Sequence, residues 1–184
     1  MNSAPTILVA PSASRAETHV ERSAFELARG KLEEAEASLR TALKLQPCLA
    51  EAHLNLADLS RQRGDEGGAE RAIHQALICA PQNAAAHHAL GLWQVRARQS
   101  KAALVSLQKA VQLAPADTRF RYVLAVALAG AGQRDEAIQI LETSVKNRPN
   151  DANSLQALAG YLRESGQLER AAQVQQQLQT LLGE

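Results

Sequence analysis

The segment HHALGLWQVRARQSKAALVSLQKAVQLAP, residues 87–115, decides the fold because it holds most of one structural unit and ends on a proline. Four prolines of the chain are separated by equal intervals of 34 residues: Pro47, Pro81, Pro115 and Pro149. A constant interval of this length is typical of proteins built from repeated units. Placing each boundary shortly after a proline divides the chain into five repeats: 16–49, 50–83, 84–117, 118–151 and 152–184.

Residues at equivalent positions of the repeats are alike. One column contains only alanine: Ala35, Ala69, Ala103, Ala137 and Ala171. A second column is large and apolar: Leu39, Ile73, Leu107 and Leu141. A third is small: Ser23, Ala57, Gly91, Ala125 and Ala159. We expect small residues such as Gly91 and Ala103 to let two helices of one repeat pack closely together.

Glycines near the middle of the repeats mark a turn: Gly30, Gly64, Gly132 and Gly166. Glycine adopts at little cost the left-handed conformation in which many helices end. Each repeat is therefore predicted to be a helix A, a turn and a helix B that stops before the proline. In the fourth repeat we expect helix A to run from Thr118 to Ala131 and helix B from Asp135 to Arg148. The chain is predicted to be all-α, with about ten antiparallel helices.

The spacing of HHALGL, SKAALVSLQKA and LAP resembles that of the tetratricopeptide repeat. The resemblance covers residues 16–184 and implies one right-handed α-solenoid domain, preceded by a leader over residues 1–15 that we expect to be flexible. Such a domain is expected to be a non-catalytic protein-interaction module that binds partners in a concave groove built mainly from helices A.

Some residues depart from the family pattern. Arg22 replaces a leucine, and Arg98 replaces the turn glycine of the third repeat. The aromatic residue expected near the end of helix A is replaced in three repeats by Glu26, Ser60 and Gln94. We expect large residues one position earlier to fill that space: Phe25, Leu59, Trp93 and Tyr161.

Histidines recur at one position of three successive repeats: His19, His53 and His87. Neighbouring helices pack about 8–10 Å apart, whereas two nitrogens that share a zinc ion lie within about 3.5 Å of each other. We therefore predict no metal site and interpret these imidazoles as packing in place of an aromatic residue. The sequence also contains no recognisable catalytic motif and no phosphate-binding loop, so we predict neither a catalytic residue nor a cofactor.

Composition narrows the function classes further. A net charge of +1 and an aromatic content of 3% do not predict a nucleic-acid-binding surface. The sequence has no apolar run long enough to insert into a membrane. Cys48 and Cys79 form neither a CxxC pair nor a disulfide framework, so we expect both to stay reduced. A cytoplasmic location is favoured, and a periplasmic one remains open.

The helix A residues left over after the packing columns are assigned form the candidate partner-binding surface: Leu54, Asn55, Asp58, His88, Leu92, Arg96, Arg119, Tyr122 and Val126. The third repeat is basic, with four Lys and Arg residues against one Asp. Arginine binds carboxylates through forked hydrogen bonds, so the predicted partner is a protein or peptide with acidic and apolar side chains.

Two alternatives remain open at this point. The chain could be a self-associating scaffold, although Gln175 and Gln179 near its end replace the Leu or Val of earlier repeats and favour a closed end and a monomer. Residues 87–132 also resemble repeat segments attached to bacterial multihaem cytochromes. The chain could therefore be a module detached from a larger bacterial protein.

Overall fold

The computed structural model describes residues 11–183, which form ten α-helices and no strand. The helices are α1 (Pro11–Ala28), α2 (Leu32–Leu45), α3 (Ala50–Gln62), α4 (Glu66–Cys79), α5 (Ala84–Arg96), α6 (Ser100–Leu113), α7 (Thr118–Gly130), α8 (Arg134–Asn147), α9 (Ala152–Glu164) and α10 (Leu168–Leu182). Odd-numbered helices are the helices A of the five repeats, and even-numbered helices are the helices B. The predicted all-α repeat fold is confirmed.

The predicted helix boundaries hold to within one residue in the fourth repeat. Its two helices are α7 and α8, and each ends one residue earlier than predicted. The first helix differs more, because α1 begins at Pro11, inside the segment predicted to be a flexible leader. Proline fits the first turn of a helix, where its missing amide hydrogen is not needed. Residues 1–10 of that predicted leader lie outside the described residues.

Each repeat has the same turn between its two helices. The four predicted turn glycines have positive φ angles, between 71° at Gly30 and 82° at Gly132. In the third repeat Arg98 takes this role with φ 58°. The amide of Gln99 donates to the carbonyl of Gln94 at 2.8 Å, and Gln133 donates to Leu128 at 2.9 Å in the same way. The turn of the third repeat is thus formed without glycine, at a cost of roughly 1–2 kcal/mol for a residue with a side chain.

The helices divide into two compact units, one ending at Ala86 and the other beginning at His87. In the first unit Val20, Leu39, Ala42 and Ala52 form a buried cluster. In the second unit the buried cluster is larger: Leu107, Leu124, Ala125, Leu128, Ala137, Ile138, Leu141, Leu158, Leu162 and Ala171. These residues come from the columns recognised in the sequence and from the positions beside them.

In the second unit the small-residue column allows two helices to pack closely, as predicted. A Cβ atom added to Gly91 would lie 2.6 Å from Cγ of Leu107 and 3.3 Å from the carbonyl oxygen of Ala103. Leu107 is fully buried, so it has little room to move. Helix α5 therefore approaches α6 this closely only because Gly91 has no side chain.

The prediction that large neighbours fill the missing aromatic position is wrong for Phe25, whose side chain is 61% exposed, whereas Leu59 is buried as predicted. Glu26 itself points inward and accepts hydrogen bonds from Ser38 Oγ and Arg22 Nε, both at 2.8 Å. Equivalent residues pair in the second unit, where Ser106 Oγ donates to Gln94 Oε1 at 2.7 Å. Glu26 and Gln94 are tolerated at this position because a serine of helix B donates a hydrogen bond to each of them.

The expectation that both cysteines stay reduced is corrected, because the structure contains a disulfide between Cys48 and Cys79. Cys48 follows Pro47 in the loop after α2, and Cys79 is the last residue of α4. The two residues are separated by 31 positions, close to one repeat length, so stacking of the first two repeats brings their Cα atoms to 5.1 Å. Disulfides form at Cα separations of about 4.4–6.8 Å. The spacing of the two cysteines matches no known local motif, because they are brought together by the stacking of two successive repeats.

Candidate functional site

The predicted partner-binding residues of the second unit lie on two helix faces. His88, Leu92 and Arg96 are spaced by four residues along α5 and therefore share one face of that helix. Arg119, Tyr122 and Val126 share one face of α7 in the same manner. The structure brings part of each set together around one cavity.

The cavity lies between α5, α6 and α7 and has a volume of about 430 Å³. Leu92, Tyr122 and Val126, all predicted from the sequence, are in its wall. The other lining residues were not predicted: Val95, Ser100, Ala103, Val123, Ala127 and Gly130. Pockets that hold one part of a ligand are usually of this kind, mainly apolar with a few polar groups.

Two of the missed lining residues carried a signal in the sequence. Val95 lies three residues after Leu92 on α5 and therefore on the same side of that helix, and it is 46% exposed. Gly130 lies four residues after Val126, at the end of the same face of α7. Neither residue was included in the candidate surface predicted from the sequence.

His88 does not line this cavity. Its ring stacks on Phe120 with a centroid distance of 4.5 Å and an interplanar angle of 28°. Burial lowers the pKa of His88 below the usual histidine value, which favours the neutral ring at physiological pH. The structure thus assigns His88 a packing role between α5 and α7, and it leaves the predicted partner contact at this residue without direct support.

Arg119 is exposed but has an intramolecular partner. Its Nη2 atom donates to Oδ2 of Asp117 at 2.9 Å, while Asp117 also accepts from the Arg119 backbone amide and caps the start of α7. The hydrogen bond from the Arg119 guanidinium lowers the pKa of Asp117. The guanidinium also lies 5.9 Å from the centre of the Phe120 ring. A partner carboxylate at this place would share Arg119 with Asp117.

The turn between α5 and α6, next in sequence to the cavity residues Val95 and Ser100, is basic. Arg96, Arg98 and Lys101 are all exposed there. Arg96 lies in the last turn of α5, where its Nη1 atom donates to the carbonyl of Leu92 at 3.3 Å. The sequence has no acidic residue between Glu70 and Asp117, so all formal side-chain charge in this stretch is positive.

The predicted residues of the first unit lie on α3 and are described apart from the others. Leu54 and Asn55 are half-buried, whereas Asp58 is exposed. Oδ1 of Asp58 accepts a hydrogen bond from Arg61 Nε at 3.2 Å within the same helix.

His53, one member of the histidine column, has a role that the sequence did not suggest. The ring Nε2 of His53 donates to the carbonyl of Pro47 at 3.0 Å, which fixes the preceding loop to α3. Arg121, at the equivalent position of the fourth repeat, donates to the carbonyl of Pro115. Within residues 11–183, no three histidine, cysteine or acidic side chains cluster in a way that could hold a metal ion.

Comparison with known proteins places this fold in a defined group. The sequence profile described as "Tetratricopeptide repeat" matches residues 50–184. No curated protein sequence matches the chain significantly. None of the described helices is both long enough and apolar enough to cross a membrane.

Several solved structures are similar to the chain. PilF of Pseudomonas aeruginosa superposes with a TM-score of 0.84 at 22% identity, over 92% of this chain and 77% of that one. MamA of Desulfovibrio magneticus gives 0.75 at 24% identity, over 91% and 94%. YrrB, described as a TPR protein with an unusual peptide-binding site, gives 0.69 at 23% identity, over 90% and 86%. The profile match, the ten paired helices and these shared folds together show that the chain belongs to the tetratricopeptide repeat family.

Proposed function

We propose that the chain is an adaptor whose second unit binds a protein segment along the exposed faces of α5 and α7. Tetratricopeptide repeat domains are protein-interaction modules and are generally non-catalytic. The observation that carries the proposal is the apolar cavity between these helices, next to the exposed basic turn between α5 and α6. The described peptide-binding site of YrrB gives further support, since that protein shares the fold.

Electrostatics favours an acidic partner. Arg96 and Arg119 lie near the two ends of the exposed faces, and Arg119 keeps 81% of its side-chain surface accessible. Arginine forms bidentate hydrogen bonds with carboxylates more readily than lysine does. The segment that binds here therefore carries aspartate or glutamate beside its apolar residues.

A double charge reversal tests the proposal. Arg96→Glu with Arg119→Glu should leave the melting temperature near that of the wild type, because both side chains are exposed. The control is Lys109→Glu with Lys146→Glu, which makes the same charge change on the helices B of the same unit. A partner is first identified by affinity capture from the native cell and then titrated against the three purified proteins. The proposal requires at least a roughly tenfold weaker affinity for the arginine variant alone.

Self-association is the second candidate, and one exposed residue favours it. Phe25 on α1 is 61% exposed, as a residue that packs against another copy would be. Against this candidate, α10 has Gln175 and Gln179 where helices α2 and α8 have leucine or valine, and Gln179 is exposed. We therefore favour a monomer. Sedimentation velocity of the wild type and Phe25→Ser would reveal an assembly that depends on this residue.

The disulfide changes the expected location. Structural disulfides persist in oxidising compartments and are rare in the bacterial or eukaryotic cytosol. We accordingly propose that this protein works outside the cytoplasm, for example in a periplasm, although the sequence favoured the cytoplasm. Trapping of free thiols in intact cells tests this point, because an alkylating reagent should not label Cys48 or Cys79 unless a reductant is added first.

A further inference from the structure

The cavity exists because one residue of a repeated column is small. The column one position before the missing aromatic contains Phe25, Leu59, Trp93, Ala127 and Tyr161. Four of these five residues are large, and Ala127 alone is not. Ala127 lines the cavity between α5, α6 and α7.

The equivalent place one repeat later is filled. Tyr161 replaces Ala127 there, is half-buried, and packs against the core of the second unit. Burial raises the pKa of its phenol, as expected for a ring that is partly withdrawn from water. Arg134 and Glu164, which correspond to Ser100 and Gly130, form an ion pair at 3.0 Å across the same place. The chain therefore contains both a filled and an open version of one repeat position.

The open version has the lining of a side-chain pocket. Its walls are mainly aliphatic, and Ser100 and Tyr122 supply the hydroxyl groups. Its volume of about 430 Å³ exceeds one tyrosine ring and lies near the lower limit of about 300–1,000 Å³ for small-ligand sites. Val95 and Val126 at its margin are 46% and 41% exposed, so an apolar group that enters would cover them.

We propose that this cavity receives a large apolar side chain, leucine, methionine or phenylalanine, from a protein segment that has a carboxylate beside that residue. The partner's side chain takes the place that Tyr161 occupies in the next repeat. The neighbouring carboxylate is directed to Arg96, Arg98 and Lys101, which are exposed around the turn that follows the cavity residue Val95 and where the third repeat carries its excess of positive charge. The inference rests on the proposed function and specifies the partner of that same surface.

A random-peptide phage library selected on the full chain is the probe. We expect the enriched peptides to share one large apolar residue with aspartate or glutamate next to it. Replacement of that apolar residue by alanine should weaken binding at least roughly tenfold, as expected for the anchor of an interface. Replacement of the adjacent acid by its amide should weaken binding less and should reduce the dependence of affinity on salt.

The corresponding variant of the protein fills the cavity with tyrosine, the residue that the chain has at the equivalent position of its fifth repeat. Ala127→Tyr should weaken binding of the enriched peptide at least roughly tenfold. Ala127→Leu, which copies Leu59 of the second repeat, fills less of the cavity and is used if the tyrosine impairs folding. Val105→Tyr adds the same ring at a position of α6 that is 67% exposed and should leave the affinity within about twofold. Both plugged proteins should melt at or above the wild-type temperature, because filling a cavity adds contacts.

The outcomes separate the inference from the proposed function. Binding that is lost in Arg96→Glu with Arg119→Glu but unchanged in both plugged proteins would overturn the pocket and leave the α5–α7 surface in place. Binding that no variant weakens would overturn both. A selection that enriches no peptide, or only peptides without an apolar residue, would also overturn the pocket.

Discussion

Leu39 in the first unit and Leu141 in the second unit occupy the same position of the repeat, and both are fully buried. The cluster around Leu39 contains valine and alanine, whereas the cluster around Leu141 contains leucines from several helices. The first unit has in addition the Cys48–Cys79 disulfide. The same repeat is thus reinforced by a covalent link in one unit and by a larger apolar cluster in the other.

This difference bears on where binding occurs. A covalent link holds neighbouring repeats together without requiring each apolar position to be filled. In the second unit, where apolar packing takes the place of such a link, Ala127 is one of the residues that line the cavity. The binding surface that we propose lies in the second unit, and the following substitutions compare the two units directly.

The largest effects are expected from Leu39→Ala and Leu141→Ala. Each removes a fully buried side chain and should lower the free energy of unfolding by about 2–5 kcal/mol. Hydrogen exchange measured by mass spectrometry should show faster exchange mainly in the unit that carries the substitution, because repeats stabilise chiefly their neighbours. Equal acceleration of both units by either variant would show that the chain unfolds as one block.

Removal of the disulfide should affect the first unit alone. The disulfide closes a loop of 31 residues, and its removal should lower the free energy of unfolding by roughly 3–4 kcal/mol because the unfolded chain gains conformational entropy. Urea unfolding with and without a reductant, followed by segment-resolved exchange, measures the change. Cys48→Ser with Cys79→Ser is the control and should be insensitive to the reductant. An equal effect on residues 87–183 would contradict the separate roles of the two units.

The buried serines provide a smaller, matched comparison. Ser38→Ala removes a hydrogen bond to the Glu26 carboxylate and should cost about 1.5–3 kcal/mol, whereas Ser106→Ala removes one to the neutral Gln94 amide and should cost about 0.5–1.5 kcal/mol. Gln94→Leu with Ser106→Ile should restore stability, because Leu128 and Ile140 occupy these positions in the fourth repeat. Denaturant titration of the four proteins decides this point.

The hydrogen bond between Ser38 and Glu26 predicts that stability depends on pH. Burial alone would raise the pKa of Glu26, but hydrogen bonds from Arg22 and Ser38 outweigh it and hold the pKa below the ordinary value of 4.5. A lowered pKa in the folded state means that the stabilisation is present above pH 4.5 and is lost as the pH falls through the folded-state pKa. The difference in the free energy of unfolding between Ser38→Ala and the wild type should therefore become smaller in acid.

The smallest effect concerns the turn. Arg98→Gly should raise the free energy of unfolding by roughly 0.5–1 kcal/mol, because glycine adopts φ 58° without strain but loses more backbone entropy on folding. Gly132→Arg is the reverse change in the next repeat and should lower stability by roughly 1–2 kcal/mol. Thermal unfolding of both variants checks the pair, and a destabilised Arg98→Gly would contradict this description of the turn.

Much of the fold could be predicted from the sequence because its signals are periodic. The proline interval, the alanine column and the turn glycines each depend on positions within one repeat, and the helices follow them closely. The disulfide could not be found in this way, because it depends on how two successive repeats stack. The exposure of Phe25 likewise depends on what packs against α1, which no pattern within the repeat reports.

The candidate site was predictable only in part. Helical spacing was sufficient to select Leu92, Tyr122 and Val126, which do surround one cavity. His88 has the same spacing, yet it packs on Phe120, because the contact depends on a ring of the neighbouring helix. Ala127 was not assigned to the candidate surface, because alanine is common in these repeats and does not indicate a binding site. We infer that its small size leaves the cavity open.

The central claim is that the second unit carries the binding surface, and an exchange footprint of the full chain tests it most directly. Hydrogen exchange is measured with and without the captured partner. We predict that protection appears in the segments 92–101 and 119–130 and that α3 exchanges at an unchanged rate. Protection of α3 residues such as Asn55 and Asp58, with no change in the segments of α5 and α7, would contradict the account.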